Sequence, residues 1–500
     1  MKTHLLYRGR DFDWDQALPP NHEALVQDLE LETLFQAMGG SDEYLLEVAR
    51  RVILLGVGDD LETIQYRQAV LKDCLQNAAI IRQIYELGVE AVERKRKQWF
   101  GVMGKSPMGI LSGSVDLLGS LVDLLGKLRL IGREHARKFQ AEGFVNLFKM
   151  VEAELPDAYF DKIKVYLREL RFPEGILVSA ELGDGAESAR HTLRRGEKAK
   201  AGFLQRVFKD APQSFTFKIN EKDDAAGKAI SSLRDRGLNP VSNALAQSAE
   251  HIMSFFASLR GELGFYLGAA ALQQKLTQYG VSTCFPVPAP AGSNKHTCTD
   301  LKDLSLILTV GKQVTGNDIQ ADGKTLFMIT GANQGGKSTF LRATGIAQMM
   351  MQSGMFVTAD AFSAAICSRV YTHFTREEDV TMKSGKFDEE LRRMGLIIDA
   401  FVPNSLILFN ESFSSTNERE GSEIAGQIVH ALLETKVKIF FVTHLYEFAH
   451  TFYKENMDHA LFLRAERQED GKRTFKLKPG EPLETSFGAD LYKEIFAGAA

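Results

Sequence analysis

The segment TLFMITGANQGGKST, residues 325–339, decides the fold class of the C-terminal part of this 500-residue chain. An apolar run leads into a glycine-rich turn, and a predicted helix follows at once. The segment satisfies the phosphate-loop pattern G-x-x-x-x-G-K-[ST] between a strand and a helix, which is the context that this motif requires. Its fixed positions are Gly331, Gly336, Lys337 and Ser338. The sequence therefore predicts a nucleotide-binding α/β domain.

The chemistry of this loop follows from its residue types. Glycines allow backbone N–H groups to close around phosphate oxygens, and the following helix adds its positive N-terminal end. Lys337 can reach the β- and γ-phosphates of a nucleotide, and the hydroxyl of Ser338 can ligate Mg²⁺. We therefore predict a bound nucleotide with Mg²⁺, and Ser338 as one metal ligand.

The run SLILFNE, residues 405–411, predicts a second strand that completes the site. Asn410 stands where an aspartate usually supports the metal, and Glu411 follows in a position to polarise an attacking water. The carbonyl oxygen of Asn410 can still accept a hydrogen bond from metal-bound water, but it carries no negative charge. We predict Glu411 as catalytic, Asn410 as a weakened metal-side residue, and hydrolysis that is slow or conditional.

Two further polar groups each allow two interpretations. The cluster SSTN, residues 414–417, precedes a helix predicted to begin near Glu418. Such side chains cap helices by accepting backbone hydrogen bonds, or they present a γ-phosphate sensor to a second subunit. His444 ends the apolar run KIFFVTH, where a strand-end histidine is either structural or a phosphate-sensing switch.

The chain has two parts with different periodicity. Residues 1–285 show apolar residues at three- and four-residue spacing, which predicts a mainly helical region with long helices. About 171–220, GILVSAEL and QSFTFKI predict short strands in a small mixed insertion. A linker at 286–296 leads to residues 297–500, where apolar strands alternate with helices and predict a mostly parallel sheet. The predicted strands are 325–330, 355–359, 370–375, 405–410 and 438–444, and the predicted helices are 337–352, 388–402, 418–435 and 446–455.

Composition restricts the partners of this chain. Its net charge of −5 and pI of about 6.2 mean that nucleic-acid contact must come from local patches. The first residues lack an apolar signal core, and four scattered cysteines fit a reducing compartment, so we expect a cytoplasmic protein. Asp116, Asp123 and Lys127 interrupt the apolar stretch at 109–128, which predicts a packed amphipathic helix and no membrane span.

A basic stretch in the predicted insertion is a candidate DNA contact. Its positive residues are Arg190, Arg194, Arg195, Lys198, Lys200, Arg206 and Lys209. They either contact phosphates in a salt-sensitive and sequence-independent way, or form a solvated helix face, which is the usual role of a charge run.

In the order GANQGGKST, LILFNE, SSTNERE and FVTH, the chain resembles the ATPase domain of the MutS family, within the wider ABC ATPase class. The lead-in GNDI (316–319) and the run DDLETIQYRQAVLKDCL (59–75) also resemble the family. The resemblance implies ATP and Mg²⁺ as cofactors, and a loop that holds the triphosphate: Gly331, Ala332, Asn333, Gln334, Gly335, Gly336, Lys337, Ser338 and Thr339. It also implies that a partner's site in a homodimer is completed by Ser414, Ser415, Thr416 and Asn417.

The same resemblance implies roles for other parts of the chain. His444 would be the switch histidine, and Glu390 in SGKFDEEL would match an acidic residue between the nucleotide motifs. The family's helical levers end in a clamp that grips DNA, and the insertion at about 171–220 is the candidate for its tip. The chain departs from the family pattern at two places that affect the catalytic rate: Asn410 replaces an aspartate, and Phe413-Ser414-Ser415 replaces a glycine-arginine-glycine lead.

Two functions therefore remain open. The first is an ATP-driven homodimeric clamp that closes on branched or damaged DNA, resembling short, stand-alone MutS-like proteins without the mismatch-recognition domain. The second is a nucleotide-gated scaffold that hydrolyses ATP barely and binds a protein partner. Asn410 favours the scaffold, whereas Glu411 and the basic insertion favour the clamp.

Overall fold

The computed structural model describes residues 1–101, 106–173, 175–184, 188–195, 215–216, 218, 223–376, 385–469 and 471–484. The chain forms two compact units. The first contains Met1–Thr3, Arg82–Lys138 and Val145–Arg260, and the second contains His4–Ile81, Phe139–Phe144 and Gly261–Ala500. The division therefore differs from the predicted one at residue 285, because residues 4–81 belong to the same unit as the nucleotide motifs.

Most of the described part of residues 1–285 is helical, as the periodicity predicted. The helices are α1 His22–Asp28, α2 Leu31–Gly39, α3 Glu43–Leu55, α4 Leu61–Gln76, α5 Ala78–Gly101, α6 Pro107–His135, α7 Glu142–Glu154, α8 Asp157–Glu169 and α9 Asp224–Gln278. Later helices are α10 Leu304–Val310, α11 Lys337–Gln352, α12 Lys386–Asp399, α13 Glu418–Leu433 and α14 Tyr446–Lys454. The predicted helices at 337–352, 388–402, 418–435 and 446–455 correspond to α11–α14.

Helix α6 contains the apolar stretch at 109–128. It is the one helix of the described residues that is long and apolar enough to cross a membrane, which is weak evidence because a packed core helix passes the same test. Leu118 is 5% exposed, and Leu121 and Leu125 are fully buried. The burial of one leucine face supports the prediction of a packed amphipathic helix.

The insertion at about 171–220 contains an antiparallel hairpin. Its strands are β1 Leu177–Leu182 and β2 Ser188–Arg194, paired from Leu177 with Arg194 to Leu182 with Ser188. Strand β1 confirms the run GILVSAEL, whereas the predicted strand QSFTFKI lies mostly outside the described residues. Arg190 and Arg194, at the start of the basic stretch, lie on β2. The interpretation of these two residues as part of a helix face is therefore wrong.

The second unit is built on a six-stranded sheet in the order β12-β11-β6-β10-β9-β8. Its strands are β6 Leu326–Gly331, β8 Val370–Phe374, β9 Leu406–Asn410, β10 Lys438–Val442, β11 Ala460–Arg467 and β12 Arg473–Pro479. All neighbours are parallel except β11 and β12. Strands β6 and β8–β10 are almost wholly buried, which explains their near-continuous apolar sequences.

Two predictions about strands need correction. The run MFVTA, 355–359, forms no strand; Val357 makes a single bridge with Cys284, and strand β7 begins at Ala361. This run is apolar because it is buried, and burial alone does not imply strand pairing. The second correction is that β11 and β12 were not predicted.

A smaller four-stranded sheet has the order β3-β7-β4-β5. Its strands are β3 Val287–Ala289, β4 His296–Leu301, β5 Asn317–Gln320 and β7 Ala361–Ala365. Residues 286–296, predicted as a linker, thus contain β3, which pairs in parallel with β7.

N-terminal residues pack directly on the helix that follows the glycine-rich turn. Leu29 is fully buried, and a Cβ added to Gly345 of α11 would lie 2.7 Å from Leu29 Cδ2 and from Leu408 Cδ1. Arg342 of α11 forms ion pairs with Glu30 and with Asp303, the latter at 2.6 Å. Helix α11 is therefore held between the sheet and the first helices of the chain.

Candidate functional site

The glycine loop, residues 331–339, joins the end of β6 to the start of α11. Gly331 has φ +106° and Gly336 has φ +87°, a region of backbone space that favours glycine. A Cβ on Gly331 would lie 2.9 Å from the backbone nitrogen of Ala465, so a side chain would not fit there. Gly336 is the N-cap residue of α11, and the helix N-terminus thus opens directly from the loop.

Lys337 lies inside the loop and is only 5% exposed. Its Nζ donates hydrogen bonds to the carbonyl oxygens of Gly331 and Ala332, both at 3.0 Å. Burial lowers the pKa of Lys337 to about 8, although the nearby charge of Glu411 raises it in part. A buried ammonium with only carbonyl partners fits a site that receives an anionic group.

Ser338 and Asn410, the two predicted metal-side residues, are in direct contact. Ser338 Oγ donates a hydrogen bond to Asn410 Oδ1 at 2.8 Å. Asn410 ends β9, which is separated from β6 by β10, so the carboxyl ends of these parallel strands face the same edge of the sheet. Two neutral oxygen atoms therefore meet beside the loop, and both are of the type that hard cations bind.

Glu411 turns away from the end of β9 in a left-handed conformation, with φ +56°. Its backbone nitrogen donates to the carbonyl oxygen of Val442 at 2.8 Å, and its Oε1 lies 2.9 Å from His444 Nε2. The hydrogen bond from His444 lowers the pKa of Glu411, as does the charge of Lys337, against the opposing effect of burial. Glu411 is consequently ionised at neutral pH, as a water-polarising carboxylate must be.

Glu390 of α12 organises the loop that carries Glu411. Its side chain is 1% exposed, and its Oε2 accepts a hydrogen bond from the backbone nitrogen of Phe413 at 2.9 Å. Its Oε1 accepts from Ser415 Oγ at 2.8 Å and from Thr375 Oγ1 at 3.3 Å. One buried carboxylate therefore fixes the backbone of residues 411–415, which we call the glutamate loop.

A buried histidine supports the same loop from β8. The ring of His373 lies 2.7 Å from Ser412 Oγ at Nδ1 and 2.9 Å from the carbonyl oxygen of Glu390 at Nε2. The ring also stacks on Phe413, with centroids 5.2 Å apart. Burial lowers the pKa of His373 to about 4, so the ring is neutral and bridges α12 to the glutamate loop.

The SSTN cluster makes local contacts within the chain. Ser414 Oγ donates to the carbonyl oxygen of Glu411 at 2.6 Å, and Thr416 Oγ1 donates to Glu420 at 2.8 Å. Asn417 is the N-cap of α13, and its Oδ1 accepts from the backbone nitrogen of Glu420 at 3.0 Å. The capping interpretation is therefore confirmed for Asn417, while the contact with a second subunit stays a prediction.

Strand β12 adds contacts to the glycine loop that the sequence did not predict. Arg473 Nε donates to the carbonyl oxygen of Asn333 at 3.3 Å, and Phe475 lies 3.4 Å from the position of a Cβ on Gly336. Asn317, in the GNDI segment, donates from Nδ2 to the carbonyl oxygen of Phe475 and accepts from the backbone nitrogen of Leu477. The short apolar run ALFL, which begins β11, was the available signal for this hairpin.

The described part of the basic stretch is exposed and makes short-range contacts. Arg190 pairs with Glu181 at 3.1 Å, Arg194 Nε donates to Ser179 Oγ at 2.8 Å, and Arg195 pairs with Glu169. The other predicted DNA contacts lie outside the described residues: Lys198, Lys200, Arg206 and Lys209. Arg190 and Arg195 are 81% and 70% exposed, and a contact of the three arginines with DNA stays a prediction.

The mostly parallel sheet and the polar groups at its edge define an α/β domain, which is joined in sequence to a region of long helices. Residues 59–279 match the family model of the MutS2 N-terminal domain, and residues 327–496 match MutS domain V, which is an ATPase domain. The chain belongs to the MutS family.

Named relatives agree with this assignment. MutS protein homolog 4 of Mus musculus is 32% identical over 29% of this chain, and the DNA mismatch repair protein MutS of Lactobacillus acidophilus is 28% identical over 50%. Endonuclease MutS2 of Thermus thermophilus is 35% identical over 26% of the chain. The matched parts span 15%, 31% and 18% of the lengths of these three relatives.

Proposed function

We propose that this chain is a MutS-like ATPase that binds ATP and Mg²⁺ at the glycine loop and couples hydrolysis to the opening or closing of a DNA clamp. The observation that carries the proposal is Glu411, an ionised carboxylate that His444 holds at the sheet edge beside Lys337 and the Ser338–Asn410 pair. The family relatives named for DNA mismatch repair support a role in DNA repair.

Each residue of the site has a defined task in this proposal. The loop amides and Lys337 bind the phosphates, and Lys337 exchanges its two carbonyl partners for phosphate oxygens. Ser338 and Asn410 would hold Mg²⁺, which would neutralise charge on the phosphates. Glu411 orients the attacking water and accepts its proton, and His444 fixes the carboxylate in place.

In this mechanism Asn410 weakens the binding of Mg²⁺ but does not prevent hydrolysis. The amide oxygen of Asn410 already accepts the Ser338 hydroxyl, so the geometry of a metal-side pair is present. One negative charge is missing beside the divalent cation, which weakens Mg²⁺ binding without changing Glu411. Slow turnover is the expected result.

The assembly that completes the site is a homodimer. Ser414, Ser415, Thr416 and Asn417 precede α13, whose N-terminal backbone N–H groups favour an anion against the opposing charges of Glu418 and Glu420 in its first turn. Across a dimer, this end of α13 would contact the γ-phosphate bound by the partner. The exposed arginines of β2 supply a sequence-independent contact with the DNA backbone.

The second candidate function is a nucleotide-gated scaffold with a protein partner. The neutral Ser338–Asn410 pair favours it, because weak Mg²⁺ binding lowers turnover. A DNA gel shift at constant ATP, measured over a range of salt concentrations, discriminates between the two functions. The clamp predicts a shift that weakens as salt rises, whereas the scaffold predicts no shift.

The primary test is Mg²⁺-dependent ATP hydrolysis by the full chain, with and without branched DNA, at two salt concentrations. We expect slow turnover that DNA changes and that Glu411→Gln lowers by at least about 100-fold, as for loss of a catalytic base. Glu434→Gln, at the exposed far end of α13, is the matched control and should retain turnover. Equal, DNA-independent turnover in the wild type and Glu411→Gln would refute the proposal.

A further inference from the structure

A small polar cavity lies at the edge of the six-stranded sheet opposite the glycine loop. It is found where β9 and β10 begin, whereas the glycine loop follows the carboxyl end of β6. Its volume is about 30 Å³, which is room for roughly two water-sized spheres. The side chains that line it include His296, Gln348, Asn404, Lys436 and Lys438. We call it the Lys438 cavity.

The charges around this cavity are unbalanced. Of the described residues that line it, two are lysines and none is an aspartate or a glutamate. The nearby carboxylate of Asp322 is already engaged by Lys295 Nζ, by the backbone nitrogen of His296 and by Thr297 Oγ1. Lys438 Nζ donates to the carbonyl oxygen of Lys295 at 2.9 Å, which provides a dipole and no counter-charge.

A buried polar atom beside the cavity also lacks a partner. His296 is 2% exposed, and its Nε2 has no hydrogen-bond partner in the part of the chain that the structure describes. Burial and the charge of Lys438 lower the pKa of His296 to about 3, so the ring is neutral and one of its nitrogens is a donor. Burial also lowers the pKa of Lys438 to about 8. Both groups would gain from a negative partner.

We propose that the Lys438 cavity binds one small inorganic anion of about halide size. Lys438 supplies the positive charge, and the neutral donors of His296 and Asn404 are the groups suited to complete its surroundings, since Gln348 Nε2 already donates to Gln352 Oε1 and to the carbonyl oxygen of Ala365. The cavity volume excludes nucleotides and organic acids, and the lack of lining carboxylates excludes a divalent cation as the preferred ligand. The site is independent of the ATPase proposal, since none of its lining residues belongs to the glycine loop or the glutamate loop.

The first arm of the test locates the anion. Crystals of the full chain soaked in sodium bromide should show an anomalous bromide peak within hydrogen-bond distance of Lys438 Nζ. Crystals of Lys438→Met should lack that peak, while bromide on other surfaces of the same crystals remains. Two ordered waters in place of bromide would overturn the proposal.

The second arm measures binding in solution. Sodium chloride and sodium gluconate are compared at equal ionic strength, because gluconate is too large for the cavity. At a chloride concentration tenfold above its Kd, the thermal midpoint should rise by about 1–2 °C over gluconate. Lys337→Ala and the exposed-lysine control Lys312→Met should keep this rise, and Lys438→Met should lose it.

The readout is the chloride-minus-gluconate difference, so a loss of basal stability in Lys438→Met does not affect the conclusion. If Lys438→Met itself fails to fold, His296→Phe, which removes the unpartnered nitrogen and keeps an aromatic ring, serves in its place and should reduce the rise. A bromide peak without any midpoint difference would mean an adventitious ion only. An equal rise in wild type and variant would also overturn the proposal.

Discussion

Lys337 carries a charge that its buried position disfavours. The two carbonyl oxygens that accept its hydrogen bonds replace only part of the lost hydration, and its pKa falls to about 8 from an ordinary 10.5. Glu411 opposes this fall and Arg473 adds to it. The free protein therefore holds Lys337 about half neutral near pH 8, although phosphate binding needs the charged form.

We predict that nucleotide binding takes up a proton at Lys337. Phosphate oxygens favour the ammonium and raise its pKa, so uptake occurs where the free group is neutral, above about pH 8. Affinity should accordingly fall by up to about tenfold per pH unit between pH 8 and 10, the range in which the free and bound protonation states differ.

Titration calorimetry at pH 8.5 in two buffers of different ionisation enthalpy measures this uptake directly. The matched control is Lys337→Arg, whose side chain stays charged throughout this range and should bind without uptake. Nucleotide binding to the wild type with the same enthalpy in both buffers would contradict the prediction.

At the scale of elements, α12 controls the geometry of the glutamate loop. Glu411 and Phe413 both have left-handed backbones, with φ +56° and φ +63°, conformations that non-glycine residues rarely adopt. The hydrogen bonds from Phe413 and Ser415 to Glu390 hold this shape. Glu390 is thus a positioning residue, which acts on the chemistry through Glu411.

We predict that Glu390→Ala lowers kcat by on the order of 100-fold and leaves nucleotide affinity unchanged. The change leaves buried donors unpaired and lets Glu411 move, and displacements of about 1 Å can have such an effect. Steady-state ATP hydrolysis measures the change in kcat, and calorimetry measures the nucleotide affinity.

Two variants serve as controls for Glu390. Glu389→Gln alters the neighbouring residue, which pairs with Arg392 on the solvent side, and should behave as wild type. Glu390→Gln keeps the shape and one acceptor oxygen, and should fall between wild type and Glu390→Ala. A parallel loss of affinity and turnover would show a merely structural role.

The elements themselves were only partly predictable. The buried strands β6 and β8–β10 and helices α11–α14 were predicted because long apolar runs and helical spacing are local signals. The order in which β10 separates β6 from β9 was not, since it depends on contacts between distant residues. The same limit applies to the site: Ser338 and Asn410 were predicted, but the contacts of Glu390 with Phe413, 23 residues away, and of Arg473 with Asn333 were not.

At the scale of the whole molecule, the sheet-bearing unit is assembled from three separate stretches of sequence. Periodicity identified the first helices as helices but gave no information on their partner. These N-terminal helices are joined to the sheet by tertiary contacts with α11: Leu29 packs against Gly345, and Arg342 pairs with Glu30 and Asp303. The N-terminal helices are therefore part of the hydrophobic core beneath the glycine loop.

We predict that Leu29→Ala destabilises the strands of the nucleotide site. Loss of a fully buried leucine costs about 2–5 kcal/mol, which should speed hydrogen exchange of the β9 amides by roughly 30-fold or more. Mass spectrometry of peptides covering 404–410 measures this change. Leu121→Ala, equally buried in the first unit, is the control and should leave β9 exchange unaltered. Unchanged hydrogen exchange of β9 in Leu29→Ala would contradict the conclusion that the N-terminal helices are part of the core beneath the glycine loop.

The separation between Leu29 and Gly345 also has a consequence for synthesis of the chain on the ribosome. The apolar faces of α1 and α2 leave the exit tunnel early, yet the helix that covers Leu29 is made roughly 300 residues later, about 15–60 s at ordinary elongation rates. During that interval Leu29, which is fully buried in the native state, has no native partner on α11. The nascent chain thus exposes apolar surface for most of translation. The yield of folded protein in the cell should therefore depend on chaperones that bind exposed apolar segments.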